Sequence, residues 1–190
     1  IAEGIAAAHE HEMIHRDIKP ANIMISCTGT VKIMDFGLAK QLAQALPDEA
    51  TVRESSATVE GTILGTPAYM SPEQIRGEAA DSRSDVFSMG LVYFQMFSGV
   101  HPFKKRTTEA TMGAILHEPA PPLSSTAPQI PRELSNIIAR MLLGQPSARY
   151  LSADEVRDDL VRFRLSLPTP AQRPIQRGVA ILPFLDLSPD

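Results

Sequence analysis

The chain has 190 residues, 43% hydrophobic and 21% charged, the proportions of an ordinary packed domain, which exclude a disordered, collagen-like or coiled-coil polypeptide. Eighteen Lys and Arg against 22 Asp and Glu leave a net charge of -4. No general basic field is available to neutralise a phosphate backbone, so nucleic acid is not expected as a partner.

The length suits one core-bearing domain of roughly 150 residues plus part of another. The chain opens Ile1-Ala2-Glu3-Gly4, with no initiating Met and no basic segment before an apolar stretch. No signal peptide is expected, and the piece reads as cut from a longer protein. The strongest apolar run, Val86 to Phe97, falls well short of the roughly 20 residues that span a bilayer, so no membrane segment is expected. Cys27 is the single cysteine, which rules out an internal disulfide and fits a reducing, cytoplasmic setting.

In chain order, small and apolar residues at 1, 2 and 5 to 8 predict a helix from Ile1 to about Glu12, which Pro20 prevents from running on. Ile23-Met24-Ile25 and Val31-Lys32-Ile33-Met34 flank a Gly-containing polar turn and predict a β-hairpin. Residues 41 to 62 lack periodicity and are rich in Ser and Thr, the pattern of a long loop. Val86 to Phe97 is apolar on nearly every side and predicts a buried axial helix. A surface helix is expected over Thr107 to Glu118, then a proline-rich connection. After Pro131, Leu134, Ile137, Ile138, Met141 and Leu142 recur at helical spacing. Ser152 with Glu155 has the form of a capping box opening a helix to about Leu165. Both late helices are expected to pack on the axial one. Pro168, Pro170 and Pro174 read as a linker, and Val179 to Leu182 as a strand.

Two motifs carry chemistry. His15-Arg16-Asp17-Ile18-Lys19-Pro20-Ala21-Asn22 gathers an Asp, a Lys and an Asn, and Asp35-Phe36-Gly37 follows. Together they resemble the catalytic and magnesium loops of the protein kinase family. Gly65-Thr66-Pro67-Ala68-Tyr69-Met70-Ser71-Pro72-Glu73 resembles the end of that family's activation segment, with Ser where many members have Ala. Asp85-Val86-Phe87-Ser88-Met89-Gly90 resembles the start of its central helix, and Arg149 stands where the family has a late Arg.

The resemblance implies a mainly α (α+β) fold, the kinase C-lobe, over residues 1–165, with one or two small hairpins carrying the catalytic and magnesium loops. A linker is expected over 166–177. Residues 178–190 resemble the first strand of a TolB-like domain. The implied function is ATP-dependent phosphorylation of protein Ser and Thr hydroxyls, with ATP and Mg2+ as cofactors. Asp17 would accept or orient the substrate hydroxyl proton, and Lys19 would face the transferring phosphoryl group. Asn22 and Asp35 would ligate magnesium. Met24 would lie beneath the adenine, though a core strand Met reads equally well. Lys19, two residues after Asp17, matches the Ser/Thr-specific pattern. Thr66 would bond Asp17 and Lys19, with His15, Phe36 and Gly37 shaping the loops. Glu73 and Arg149 would form a buried ion pair, and Asp85 would hold the catalytic-loop backbone. Arg16 and Lys40 would form a basic pocket for a phosphate on the long loop, with Thr58 and Thr62 as the preferred acceptors.

No Gly-rich loop and no strand Lys with a helix Glu partner precede Ile1, so the nucleotide-covering N-lobe is expected to be absent and this piece alone inactive. The resemblance leaves room for activating self-association of a longer parent. A pseudokinase or scaffold is the alternative of a different class. His11-Glu12-Met13-Ile14-His15 also spells the zinc-hydrolase pattern H-E-x-x-H, but His15 is claimed by His-Arg-Asp and the longer metzincin form is not met, Ile18 and Ala21 standing where it needs Gly and His.

Overall fold

The computed structural model describes residues 1–36 and 67–167. The helices are α1 (Ala2–Glu10), α2 (Pro72–Ile75), α3 (Ser82–Ser98), α4 (Thr108–His117), α5 (Leu123–Thr126), α6 (Arg132–Met141) and α7 (Ala153–Ser166). Strands β1 (Ile23–Ile25) and β2 (Val31–Ile33) form an antiparallel hairpin, the only sheet among the described residues. The fold is mainly helical.

Helix α3 is the axis. Val86, Phe87, Met89, Leu91, Val92 and Phe94 are all buried, as a helix apolar around its circumference requires. It begins at Ser82, four residues before the apolar run, because the Asp81 side chain accepts the Arg83 N–H and caps it. The polar first turn, Ser84 and Asp85, is nonetheless buried. The helix stops at Gly99, whose φ of 76° is the left-handed value that ends helices at glycine.

Gly90 sets how closely α6 can approach. A methyl group there would lie 2.9 Å from Met141 Cβ and 3.1 Å from Leu142 Cδ2. Helices α6 and α7 both touch α3, but α7 packs chiefly against α1, closing the bundle on the side of the chain start.

Two sequence expectations need correcting at helix ends. The first helix ends at Glu10, not Glu12, and Glu12 takes φ 57°. The Ser152–Glu155 capping box does not form: the Ser152 side chain caps nothing, and Glu155 Oε2 accepts the Leu151 N–H instead. A complete box stands at α2, where Ser71 Oγ accepts the Gln74 N–H and Gln74 Oε1 accepts the Ser71 N–H. Helix α7 runs through Ser166, one residue into the expected linker, and residues 168–190, including the TolB-like segment, lie outside the described residues. No helix among the described residues is long and apolar enough to cross a membrane.

Candidate active site

The site is assembled by one proline, one hairpin and one buried carboxylate. Pro20 restricts the residue before it to extended backbone, and Lys19 has φ -156° and ψ 162°. Pro20 also starts the 3₁₀ turn Pro20–Asn22. That fold-back brings both Lys19 and Asn22 onto Asp17. Lys19 Nζ lies 2.7 Å from Asp17 Oδ2. Asn22 Nδ2 donates to Asp17 O at 2.8 Å and to Asp17 Oδ2 at 3.2 Å. Both amide hydrogens of Asn22 are thereby used, and its Oδ1 is left as an acceptor.

The hairpin then brings Asp35 back to Asn22. Ile23 pairs with Ile33, so Asn22 and Met34 stand opposite each other just beyond the ladder, and the Met34 N–H donates to Asn22 O at 2.8 Å. Asp35 follows at once with φ 55°, its side chain exposed. The exposed Asp35 carboxylate and the amide oxygen of the buried Asn22 at one end of a hairpin are the donor type a hard divalent cation takes. Met24, on the same hairpin, is 53% exposed and opposite Lys32.

His15 is fully buried. Its Nδ1 accepts the Asp17 N–H at 3.3 Å, which places the proton on Nε2, and Nε2 donates to Met34 O at 3.0 Å. The Phe36 ring packs on it with centroids 4.6 Å apart. This arrangement removes the zinc reading: α1 ends before His11, so His11 and His15 do not share a helical turn, and both His15 nitrogens are occupied.

Asp85 supports the loop from below. Its Oδ2 accepts the His15 N–H at 2.7 Å and its Oδ1 the Arg16 N–H at 2.8 Å. Arg16 has φ 64°, a left-handed value unfavourable for a side chain of this size, and the Asp85 bond holds it there. Sequence reasoning passed over His9, which is the third group on Asp85. His9 Nδ1 accepts the Ala153 N–H at 3.3 Å, so Nε2 carries the proton toward Asp85 Oδ2 at 3.1 Å. Gln74 was missed too: its Nε2 donates to Arg16 O at 2.8 Å, tying α2 to the loop.

Glu73 and Arg149 meet in the core. Arg149 Nη1 and Nη2 reach Glu73 Oε1 and Oε2 at 2.8 and 3.0 Å. The remaining guanidinium donors go to the carbonyls of Leu143, Arg83 and Gly144. Burial pushes the Glu73 carboxyl up, but bonds from Arg149 and Ser84 and the Arg149 charge outweigh it, leaving the group below its usual range. Gly37, Lys40, Thr58, Thr62 and Thr66 lie outside the described residues.

A model of the protein kinase domain matches residues 1–160. The chain belongs to the protein kinase family. Among its relatives, this kinase chain is 40% identical over 155 residues to the serine/threonine-protein kinase PknB of Mycolicibacterium smegmatis, covering 82% of the chain and 24% of that protein. It is 37% identical over 166 residues to the protein of the same name from Mycobacterium tuberculosis, strain H37Rv, covering 87% of the chain and 25% of the relative. Against the Mycobacterium leprae PknB the identity is 37% over 167 residues, again 87% and 25%. The chain thus spans about a quarter of the length of these curated relatives.

Proposed function

We propose that this chain is the C-lobe of a serine/threonine protein kinase that transfers the γ-phosphate of ATP to Ser and Thr hydroxyls of protein substrates. The observation that carries the reading is the contact of Lys19 and Asn22 with one carboxylate, Asp17, beside the hairpin end that presents Asp35. Membership of the kinase family and relatives named as serine/threonine kinases support it.

In this reading, magnesium-bound ATP supplies the phosphoryl group and much of the charge neutralisation the reaction needs. Asn22 Oδ1 and the Asp35 carboxylate would hold the metal ion, which would neutralise charge on the phosphates. Asp17 Oδ2 is engaged by Lys19 and Asn22, which fixes the carboxylate so that it can orient the substrate hydroxyl and take its proton. Lys19 offers its cation to the phosphoryl oxygens. Asp85 keeps the loop backbone in its left-handed turn, and Thr66 is the residue proposed to bond Asp17 and Lys19. In the full-length protein, Asp17→Asn abolishes transfer of radiolabelled phosphate to a Ser/Thr substrate; transfer at the wild-type rate in that variant would remove the reading.

Regulation by a phosphate on the 37–66 segment belongs to the same proposal. Arg16 Nε is buried and has no hydrogen-bond partner among the described residues, a state that a phosphate oxygen relieves. Arg16 and Lys40 receive the phosphate, with Thr58 and Thr62 as its carriers. Mass spectrometry of the active protein finds phosphate there, and Thr58→Ala/Thr62→Ala lowers activity; a fully active double variant with no phosphate in the segment sinks this part. The segment 178–190 is read as the opening of a TolB-like domain in the longer protein.

A further inference from the structure

A cleft of about 690 Å³ opens between the 3₁₀ turn Pro67–Tyr69 and the stretch leading from α3 into α4. Its lining includes three consecutive cations, Lys104, Lys105 and Arg106, and no carboxylate among the described residues. In a chain whose net charge is -4, that is a local reversal of sign. Two of the three cations do not neutralise an acid among the described residues. Lys105 alone reaches one, Glu118 Oε2 at 2.8 Å, while Lys104 and Arg106, both exposed, make no ion pair among the described residues. The start of α4, a helix of 10 residues, adds its positive end to the same side, partly offset by Glu109 in its first turn.

The cleft is built rigidly. His101 Nδ1 accepts the Phe103 N–H at 3.2 Å and Nε2 donates to Ala68 O at 2.9 Å, stapling the loop to the opposite wall. Tyr69 donates its hydroxyl to Gln95 Oε1 across the floor. The Lys105 N–H is held by Thr111 Oγ1 at 3.0 Å, which fixes the backbone between Lys104 and Arg106. The wall carrying Tyr69 runs on into Ser71 and Gln74, and Gln74 holds the Arg16 carbonyl beside Asp17. One continuous stretch therefore lines the cleft and braces the loop that presents Asp17.

We infer that this cleft selects protein substrates whose acceptor Ser or Thr is flanked by Asp or Glu, the acidic side chains settling against Lys104 and Arg106. The inference rests on the reading of Asp17 as the group that meets the acceptor hydroxyl. A peptide held at Asp17 passes its flanking residues along the same supporting stretch, and an acidic flank there meets Lys104 and Arg106. Basic flanks are repelled.

The test is binding and transfer measured separately on the full-length protein. Fluorescein-labelled Ser peptides, identical except for Asp, Ala or Lys at the flanking positions, are titrated by anisotropy and then assayed with magnesium-ATP. The Asp peptide binds about tenfold more tightly than the Ala peptide, which corresponds to about 1.4 kcal/mol, and the advantage shrinks as salt screens it. Lys104→Ala/Arg106→Ala removes the advantage. Arg132→Glu, an exposed change of equal net charge at the start of α6, retains it. Equal binding of the three peptides, or the same loss in Arg132→Glu, overturns the inference. Discrimination in binding with no transfer to any peptide upholds the cleft and overturns the transferase reading.

Discussion

His9 and Asp85, 76 residues apart in the sequence, meet at 3.1 Å beneath the His15–Asn22 loop, and the ring holds the carboxylate that in turn holds the His15 and Arg16 amides. Asp85 is therefore used on both oxygens, with α1 and α3 joined through it. Asp85→Asn replaces one acceptor by an amide donor facing a backbone N–H. An unsatisfied buried donor costs about 1–3 kcal/mol, and the left-handed turn at Arg16 loses its restraint. The variant is expected to unfold at lower denaturant and to lose transfer more than substrate binding. His9→Phe keeps the bulk and removes one bond, and its loss should be smaller. Equal, full activity in both would show that the loop does not depend on this support.

Asp17, Lys19 and Asn22 were legible as a cluster because they lie within six positions, and Pro20 with the 3₁₀ turn it starts brings them together, while the hairpin returns Asp35 to Asn22. The residues that were missed act through distant partners. His9 on an apolar helix looks like any helix histidine until Asp85 and Ala153 are in place, and His101 gains its role from Ala68, 33 residues away. Gln74 stands just after the Ser71-Pro72-Glu73 motif, and nothing local marks its reach to the Arg16 carbonyl. The misplaced capping box has the same origin: Ser152-x-x-Glu155 satisfies the local pattern, yet Glu155 turns to Leu151 while Ser71 and Gln74 form the reciprocal pair. The axial helix was recognised by its apolar run and from Asp85 on by resemblance, whereas Ser82 to Ser84 were not, because Ser84 is a buried polar group satisfied only by the distant Glu73.

Arg149 is satisfied on every donor, so removing Glu73's charge strands a buried cation. Glu73→Gln is expected to cost about 3–5 kcal/mol in urea unfolding. A buried pair replaced on both sides by apolar groups of similar size often loses little. Glu73→Leu/Arg149→Met should therefore be less destabilised than the sum of Glu73→Leu and Arg149→Met, with a coupling visible in a double-mutant cycle. Strict additivity would show that the two side chains do not depend on each other.

Gly90 separates two opposing effects. Alanine in a helix interior is favoured over glycine by about 1 kcal/mol. Its methyl group, however, would stand 2.9 Å from Met141 Cβ, which is too close for packed carbon atoms. Overpacking a core costs about 1–3 kcal/mol, so the clash is expected to win and Gly90→Ala to lower the unfolding midpoint. A gain in stability would mean that α6 can shift outward at no expense.

Asp35→Asn and His11→Ala distinguish the reaction classes directly. Asp35 is one of the two oxygen donors at the hairpin end, and its replacement in the full-length protein is expected to lower transfer at least a hundredfold, about 2.7 kcal/mol in the barrier. His11 is exposed at the end of α1, and its loss should leave transfer near wild type. Zinc bound stoichiometrically and lost with activity in His11→Ala would reverse the assignment.

Acid should weaken the fold in two separate windows. Burial, together with the nearby Lys104 charge, lowers the His101 pKa from its ordinary 6.5 although the bond to Ala68 opposes the shift. Below 6.5 the unfolded chain takes a proton that the folded ring refuses, since Nδ1 is already the acceptor for the Phe103 N–H. Stability therefore falls as the pH drops from 6.5 toward the lowered folded value and levels off beneath it. Glu73 acts in the opposite chemical sense and at lower pH. Its folded pKa lies below the ordinary 4.5, so its contribution is fully present above 4.5 and disappears as the pH falls through the folded value. Urea unfolding midpoints followed between about pH 7.5 and 5.5 test the first window. His101→Asn is expected to flatten that slope while Glu73→Gln leaves it intact. An unchanged slope in His101→Asn would assign the upper window to another group.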